Sequence, residues 1–475
     1  MGPTKHLKRF VHFDLKGAPP KLSYLKSLLP LLRKWGADGL LMEYEDTFPF
    51  TSDLSILAAE HAYSREELYD FLEECQRLEL SVVPLVQTFG HVEFILKHDT
   101  FSSLREHSWY PNCFCPENPA SFQLVCMLLE QVLEFHDQLF AIHIGCDEVW
   151  QLGVCERCRA VLEESDWSKE RLFAEFVRRV AEFVKECRPD LPVLVWDDML
   201  RRTDATVLRA SGLQRVVQPV VWHYGAQLCP DVWKSLSCVF PVIWCASAFK
   251  GASGCSETIP DIGLHVANHK LWLAVMEEQS PVVGRWGGFI LTGWSRYDHF
   301  GVLCELFPAA LPSLVLCLLI IRNGEFTEYV HREASEAVGS DTLLALASKP
   351  RPQPVVEWWS FPGFSVHVGS HWQANLFASF RQLMDSELYK GWACAYNLDR
   401  GRLNSGTLMQ VGHDAGKLLM EFEELERMMS TELPAIYPES VGKEWLGTHV
   451  KPYADKLRRI CQRISRFSAI STEDD

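Results

Sequence analysis

Short apolar runs alternate with longer stretches of helical period along the first two thirds of the chain. Arg9 to Leu15 alternates apolar and polar positions as a half-buried strand does, and Leu22 to Trp35 follows at helical spacing before stopping at Gly36. Gly39 to Tyr44 is a second short apolar run. Ser64-Arg65-Glu66-Glu67 is a capping box that opens a helix running to about Leu80. Ser81 to Val86 is a third strand, and Asn118 to Phe135 is a helix with Pro119 at its first position. The fourth strand begins at Phe140 in F-A-I-H-I-G-C-D-E-V-W, where the strand pattern breaks at Gly145 into two adjacent carboxylates. After an amphipathic stretch from Ser168 to Cys187 come strands at Leu191–Trp196, Val216–Trp222 and Val239–Trp244. A helix at Ala267–Glu278 and a strand at Gly288–Thr292 close the series.

Eight strands alternating with helices predict an α/β fold, a (β/α)8 TIM barrel, over residues 1–335. From about Ser348 the texture changes at K-P-R-P-Q-P, and no strand-helix alternation follows. Asn375–Leu388, Ala415–Met429 and Val450–Phe467 carry apolar residues at helical spacing, so 336–475 is expected to be a mostly helical C-terminal extension packed on the barrel.

Composition narrows the partners. Lys plus Arg is 46 against 62 for Asp plus Glu, and the net charge of −16 argues against nucleic acid or an anionic membrane surface. The longest apolar run, Leu311 to Ile321, contains Pro312 and is far short of a membrane span. The N-terminus has no apolar core of a secretory signal, and the chain has 16 cysteines, which together lead us to expect reduced thiols in the cytoplasm and nucleus. Cys155 and Cys158 form a C-x-x-C, with Cys113 and Cys115 upstream. No second spaced pair or nearby His at ligand spacing accompanies it, so free thiols are expected, with no metal or other cofactor.

In a βα barrel the C-terminal strand ends hold the active site. Collected there are Asp14, Glu43, Glu45, His91, Asp147, Glu148, Trp196, Asp197, Asp198, Trp222, Tyr224, Trp244, Trp294, Tyr297 and Asp298. Acids mixed with aromatics suit a carbohydrate, whose ring faces stack on Trp while its hydroxyls need carboxylate or amide partners. Of two neighbouring carboxyls in a cleft, one is expected to stay ionised while the other holds its proton near neutral pH.

H-I-G-C-D-E-V-W resembles the His-x-Gly-x-Asp-Glu signature of glycoside hydrolase family 20, the β-N-acetylhexosaminidases. P-L-V-Q-T-F-G-H after strand three, E-Y-E-D-T-F-P-F after strand two and W-D-D-M after strand five are similar to the short branch of that family. The resemblance implies a retaining exo-enzyme for terminal β-linked N-acetylgalactosamine or N-acetylglucosamine, favouring galactosaminides, in which the substrate's own acetamido group is the nucleophile. It implies Glu148 as general acid and base, and Asp147 as the group that orients the acetamido. His91 would stand near the acid with Glu43 or Glu45 as its partner, and Trp196, Trp222 and Trp294 would box the methyl. Tyr224 and Tyr297 are both candidates for the acetamido oxygen. A homodimer is also implied.

Two positions depart from the family pattern. Strand one ends Asp14-Leu15-Lys16-Gly17 without the family's arginine, and its W-x-E after strand eight reads Trp294-Ser295-Arg296. Two other readings compete. One is an O-linked N-acetylglucosamine hydrolase acting through Asp197 and Asp198, and the other is a sugar-binding barrel without turnover.

Overall fold

The computed structural model describes residues 6–227, 231–347, 361–400 and 404–470. Eight parallel strands close a barrel: β1 (Arg9–Asp14), β2 (Gly39–Glu43), β3 (Ser81–Leu85), β4 (Ile142–His143), β5 (Val193–Trp196), β6 (Gln218–Trp222), β7 (Val242–Lys250) and β8 (Arg285–Gly293). Each pairs with its neighbours in sequence, and β8 returns to β1 with Phe10 opposite Ile290 and Val11 opposite Leu291. The expected (β/α)8 barrel is the fold. Its strands are buried on both faces, which is why they read as near-continuous apolar runs. Inward side chains, among them Phe10, Leu41, Val83, Leu85, Leu194, Val220 and Ile290, fill the interior as a packed core.

The helices start where their caps dictate. Ser64 and Glu67 make both bonds of the capping box ahead of helix Arg65–Arg77, and the Asn118 side chain caps helix Pro119–Phe135. Two elements between β3 and β5 carry no strong periodicity and were not expected. They are an antiparallel ribbon of Arg105–His107 with Tyr110–Phe114, and the helix Glu156–Ser165.

Strand bounds moved at both ends, and the largest single shift is at the end of the seventh. The seventh strand, expected to stop at Trp244, runs on to Lys250 because pairing with β8 continues through Gly293. The fourth is only two residues long, because Gly145 (φ 68°) and Cys146 (φ 71°) turn into left-handed backbone that cannot pair in a ladder.

Leu311–Ile321 lies in helix Phe307–Asn323, whose residues from Phe307 to Ile321 are all buried between barrel and tail. No helix among the described residues is long and apolar enough to cross a membrane. The K-P-R-P-Q-P break lies outside the described residues. Beyond it run helices Phe364–Asp385, Ser405–Glu432, Glu439–His449 and Lys451–Ile470. The expected division after residue 335 falls inside helix Glu328–Ala337, and one continuous hydrophobic cluster joins the barrel's outer layer to tail residues such as Phe422 and Trp445. Arg296 adds a polar clamp: it bonds the Lys16 carbonyl at 3.1 Å and both carboxylate oxygens of Glu444 in the tail at 2.9 and 3.0 Å.

With a shared core, Trp445→Ala, which empties a fully buried site, is expected to destabilise the whole fold by about 3–5 kcal/mol. Thermal unfolding followed by barrel tryptophan fluorescence should show one transition at lower temperature. A separate early transition that leaves the main one unmoved would show that the tail folds independently.

Candidate active site

At the C-terminal mouth of the barrel the strand ends enclose a cavity of about 220 Å³ lined by Asp147, Glu148, His91, Trp196, Trp222, Trp294 and their neighbours. The backbone delivers the two acids under constraint. Gly145 (φ 68°) takes a left-handed conformation that favours glycine, and a Cβ there would displace the Gln87 amide, 1.9 Å away; one on Gly90 would lie 1.9 Å from the Asp147 carbonyl oxygen, which is backbone. His91 (φ 50°), Cys146 (φ 71°) and Glu148 (φ 52°) are left-handed without being glycine. Such residues cost about 1–3 kcal/mol each and cluster at functional sites.

His91 links the acids. Its Nε2 donates to Glu148 Oε2 at 3.1 Å and lies 3.7 Å from Asp147 Oδ2. Burial disfavours the imidazolium, but Asp147, Glu148 and Glu93 around it outweigh that and raise His91 to about 10. Burial pushes Asp147 up to about 7 against the pull of His91, with Asp198, Glu43 and Glu148 adding repulsion. Glu148 is held below the ordinary carboxylate range, chiefly by the His91 hydrogen bond. The expected split between the acids is therefore present, but in the free site Glu148 is the ionised member. Asp147 Oδ1 is buried without a hydrogen-bond partner and belongs to the cavity wall.

Three tryptophans form the opposite wall. Trp196 is the buried floor, with Trp294 at 5.9 Å between ring centroids. Trp222 stacks on Tyr224 at 5.3 Å, and Trp294 Nε1 donates to Tyr224 Oη at 3.0 Å. Tyr224 is thus built into the box, whereas Tyr297 stands on the rim, 49% exposed.

Other expected site residues support the cavity without lining it. Glu43 lies buried below, accepting from His12 Nε2 at 2.9 Å and 3.4 Å from Lys16 Nζ; Glu45 is held by His299 Nδ1 at 2.8 Å. Neither bonds His91, whose partners are the catalytic-candidate acids themselves. Asp14 accepts from the Ser295 N–H at 2.7 Å and pairs with Lys16 at 2.9 Å, locking β1 to the end of β8. Asp298 spends Oδ1 on the N–H groups of Phe300 and Gly301, both at 2.8 Å, in its own turn. Trp244 does not reach the mouth: because β7 continues past it, its ring packs on Phe10 and Phe140 deep in the barrel, and Nε1 donates to Gln218 at 2.8 Å.

Asp197 and Asp198 also take positioning places. Asp197 is fully buried against Arg201, whose Nε donates at 2.7 Å, and it accepts from the Trp222 N–H at 3.2 Å. Asp198 accepts from the Glu148 N–H at 2.9 Å, fixing the strained backbone of the acid. Neither aspartate lines the cavity, which removes the geometric basis for a reaction carried by that pair.

Four lining residues escaped the sequence reading: Lys16, Gln87, Gly251 and Ala252. Lys16 lies where an arginine was sought; it is 2% exposed, and its ammonium stands 4.9 Å from the Trp294 ring centre. Gln87 sits in P-L-V-Q-T-F-G-H immediately after β3, a position that the strand-end rule alone would have flagged. Arg296, the other departure, faces the tail and not the cavity.

Comparison with known proteins agrees with this geometry. Residues 28–229 match the glycosyl hydrolase family 20 catalytic domain. The chain is 41% identical to Hexosaminidase D of Homo sapiens over 479 residues, covering 98% of this chain and 96% of that protein. It is 43% identical to Hexosaminidase D of Bos taurus over 340 residues, covering 70% and 98% respectively. Among solved structures, the chitobiase of Flavobacterium johnsoniae shares the fold with a TM-score of 0.54 at 12% identity, covering 99% of this chain and 73% of that one. With a relative this similar aligned over nearly its whole length, the chain belongs to glycosyl hydrolase family 20 and is a glycoside hydrolase of the β-N-acetylhexosaminidase type.

Proposed function

We propose that the protein is a retaining exo-β-N-acetylhexosaminidase that releases terminal β-linked N-acetylgalactosamine or N-acetylglucosamine by substrate-assisted catalysis, with galactosaminides favoured as the family resemblance implies. The observation that carries this reading is the unpaired, buried Asp147 oxygen facing a slot walled by Trp196, Trp222 and Trp294. An acetamido group answers both features, with an N–H for the carboxylate and a methyl for the aromatic walls. Tyr224, fixed by Trp294, is the better placed phenol for the acetamido oxygen.

In the reaction the acetamido carbonyl oxygen attacks the anomeric carbon, the glycosidic C–O bond breaks, and the leaving oxygen takes a proton from Glu148. Asp147 accepts the N–H and balances the positive charge of the oxazolinium. Water then adds at the anomeric carbon, losing its proton to Glu148, and the ring reopens. Holding the nucleophile in a near-attack pose supplies a large effective molarity, and a positioned donor adds roughly 10²- to 10⁴-fold.

Glu148 is ionised in the free site, so it must gain its proton as the substrate binds. A sugar covering a half-exposed carboxylate removes water and raises its pKa. His91 Nε2 lies 3.1 Å from Glu148 Oε2, and its proton can then pass across the existing hydrogen bond. His91 is a proton reservoir in this scheme. Lys16 gives the cavity lining an ammonium in place of a guanidinium fork, held by Asp14 and Glu43. A nucleocytoplasmic setting is the proposal from thiol content.

The first test is hydrolysis of paired aryl N-acetyl-β-galactosaminide and N-acetyl-β-glucosaminide. Wild type should turn over both, faster on the galactosaminide, and saturable binding without product would leave only a sugar-binding barrel. Glu148→Gln should lose roughly 10²- to 10⁴-fold on substrates with poor leaving groups, and much less on activated aryl glycosides. Asp147→Asn should lose activity to the same extent on both. A uniform loss in Glu148→Gln would count against its role as the acid.

The pH profile tests His91. Asp147 must be ionised to hold the N–H, so kcat/KM should rise with pH through about 7. It should fall again through about 10 as the His91–Glu148 pair loses its last proton. His91→Gln should bring the basic limb down in pH. A basic limb that stays in place in this variant rules out the reservoir.

A further inference from the structure

The loops that carry His91 and the Asp147–Glu148 pair are joined beside the site by a group of side chains that the reaction does not use. Glu106 comes from the first strand of the ribbon Arg105–His107, and Cys115 directly follows its second strand Tyr110–Phe114. Cys155 is the N-cap of helix Glu156–Ser165, and Cys158 stands in its first turn. One donor atom from each of the four lies within 4.8 Å of the others. We propose that Glu106, Cys115, Cys155 and Cys158 form a structural zinc site that ties the loop after β3 to the loop after β4.

The donor spacing is that of a metal tetrahedron. With Zn–S bonds of about 2.3 Å, the edges between sulfur ligands are about 3.7 Å. Cys115 Sγ lies 3.4 Å from Cys155 Sγ and 3.7 Å from Cys158 Sγ, and Cys158 Sγ lies 3.1 Å from Glu106 Oε2. A disulfide would join two sulfurs at about 2.05 Å and leave the third thiol and the carboxylate unexplained. Three thiolates with one carboxylate, all from the protein, are a closed set dominated by soft sulfur ligands, which selects zinc over magnesium or calcium.

The second observation is Glu106 itself. It is 2% exposed and has no lysine, arginine or histidine partner among the described residues. Burying a carboxylate without a counter-charge is costly even when hydrogen-bonded, and in proteins such groups are usually ion-paired or bind metal. Its orientation is fixed from behind: Oε1 accepts from the N–H groups of Val154 and Cys155 at 2.7 and 3.1 Å, which turns Oε2 toward the thiols. This arrangement is what a ligating carboxylate needs from its surroundings. The Cys158 N–H also reaches Cys155 Sγ at 3.3 Å.

The spacing of the C-x-x-C showed only half of this site, because Cys115 is 40 residues from Cys155 and Glu106 is not a usual partner in a cysteine motif. The proposal departs from the expectation of free thiols without a metal. A zinc here would stiffen the segment from Glu148 to Cys155 and hold Gln151, which accepts from Asn112 Nδ2 of the other loop at 2.7 Å.

The test is metal content of the full chain, produced in zinc-supplemented medium and measured by native mass spectrometry and elemental analysis. One zinc per chain is expected. Replacing it with Co(II) should give a thiolate charge-transfer band in the near ultraviolet and visible bands of tetrahedral intensity. Cys158→Ser should lose the metal, and Cys113→Ser, outside the group, should keep one equivalent. If Cys158→Ser does not fold, Glu106→Gln provides the second reading, with metal affinity at least 10-fold weaker. Chelation should lower the melting temperature of wild type, and zinc should restore it. A metal-free chain whose Co(II) spectrum is featureless, or a mass that reveals a disulfide among these cysteines, overturns the proposal.

Discussion

Everything at the barrel mouth depends on the turn out of β4 at Gly145. Left-handed backbone at Gly145, Cys146 and Glu148 ends the strand after two residues and presents Asp147 inward and Glu148 toward the opening. The conformation is held from three sides. Gln87 packs where a Cβ would be, Asp198 takes the Glu148 N–H, and Gly90 lets the loop after β3 touch the Asp147 carbonyl. Strain of this kind persists only where the surroundings over-determine it, and here the surroundings come from β3 and β5 on either side.

That turn brings like charges together, and the rest of the site answers them. His91 joins the two acids above, while below them the Lys16 ammonium stands between the buried carboxylates of Asp14 and Glu43, with His12 bonded to Glu43. Buried charges are tolerated when paired, and removal of one member leaves its partner exposed to the full cost of burial. The pairing also decides protonation. Asp147 is raised by burial among carboxylates, whereas Glu148, nearer solvent and bonded to His91, is lowered.

The tail belongs to the same structure. Its helices share the barrel's outer core, and Arg296 reaches from the loop after β8 to Glu444. The residue that departs from the family's W-x-E pattern is thus accounted for by architecture: the position serves the joint between barrel and tail. Lys16, whose backbone carbonyl Arg296 bonds, is held in the cavity partly by that same joint.

Strand and helix periods, caps and the acid pair after β4 are local properties, so the sequence by itself determined the barrel, the capping box at Ser64 and Glu67, and the place of Asp147 and Glu148. The boxed tryptophans at the ends of β5 and β6 were legible for the same reason. Where a strand ends is a matter of pairing with its neighbours, and that was decided only in three dimensions. Pairing of β7 with β8 carries the strand past Trp244 and sends that ring to the barrel floor. The partners of His91, the use of Asp14 and Asp298 as backbone locks, and the meeting of Glu106 with three cysteines are all contacts across long stretches of chain. No period or spacing encodes such contacts, because they are set by how loops fold back on one another after the barrel has closed.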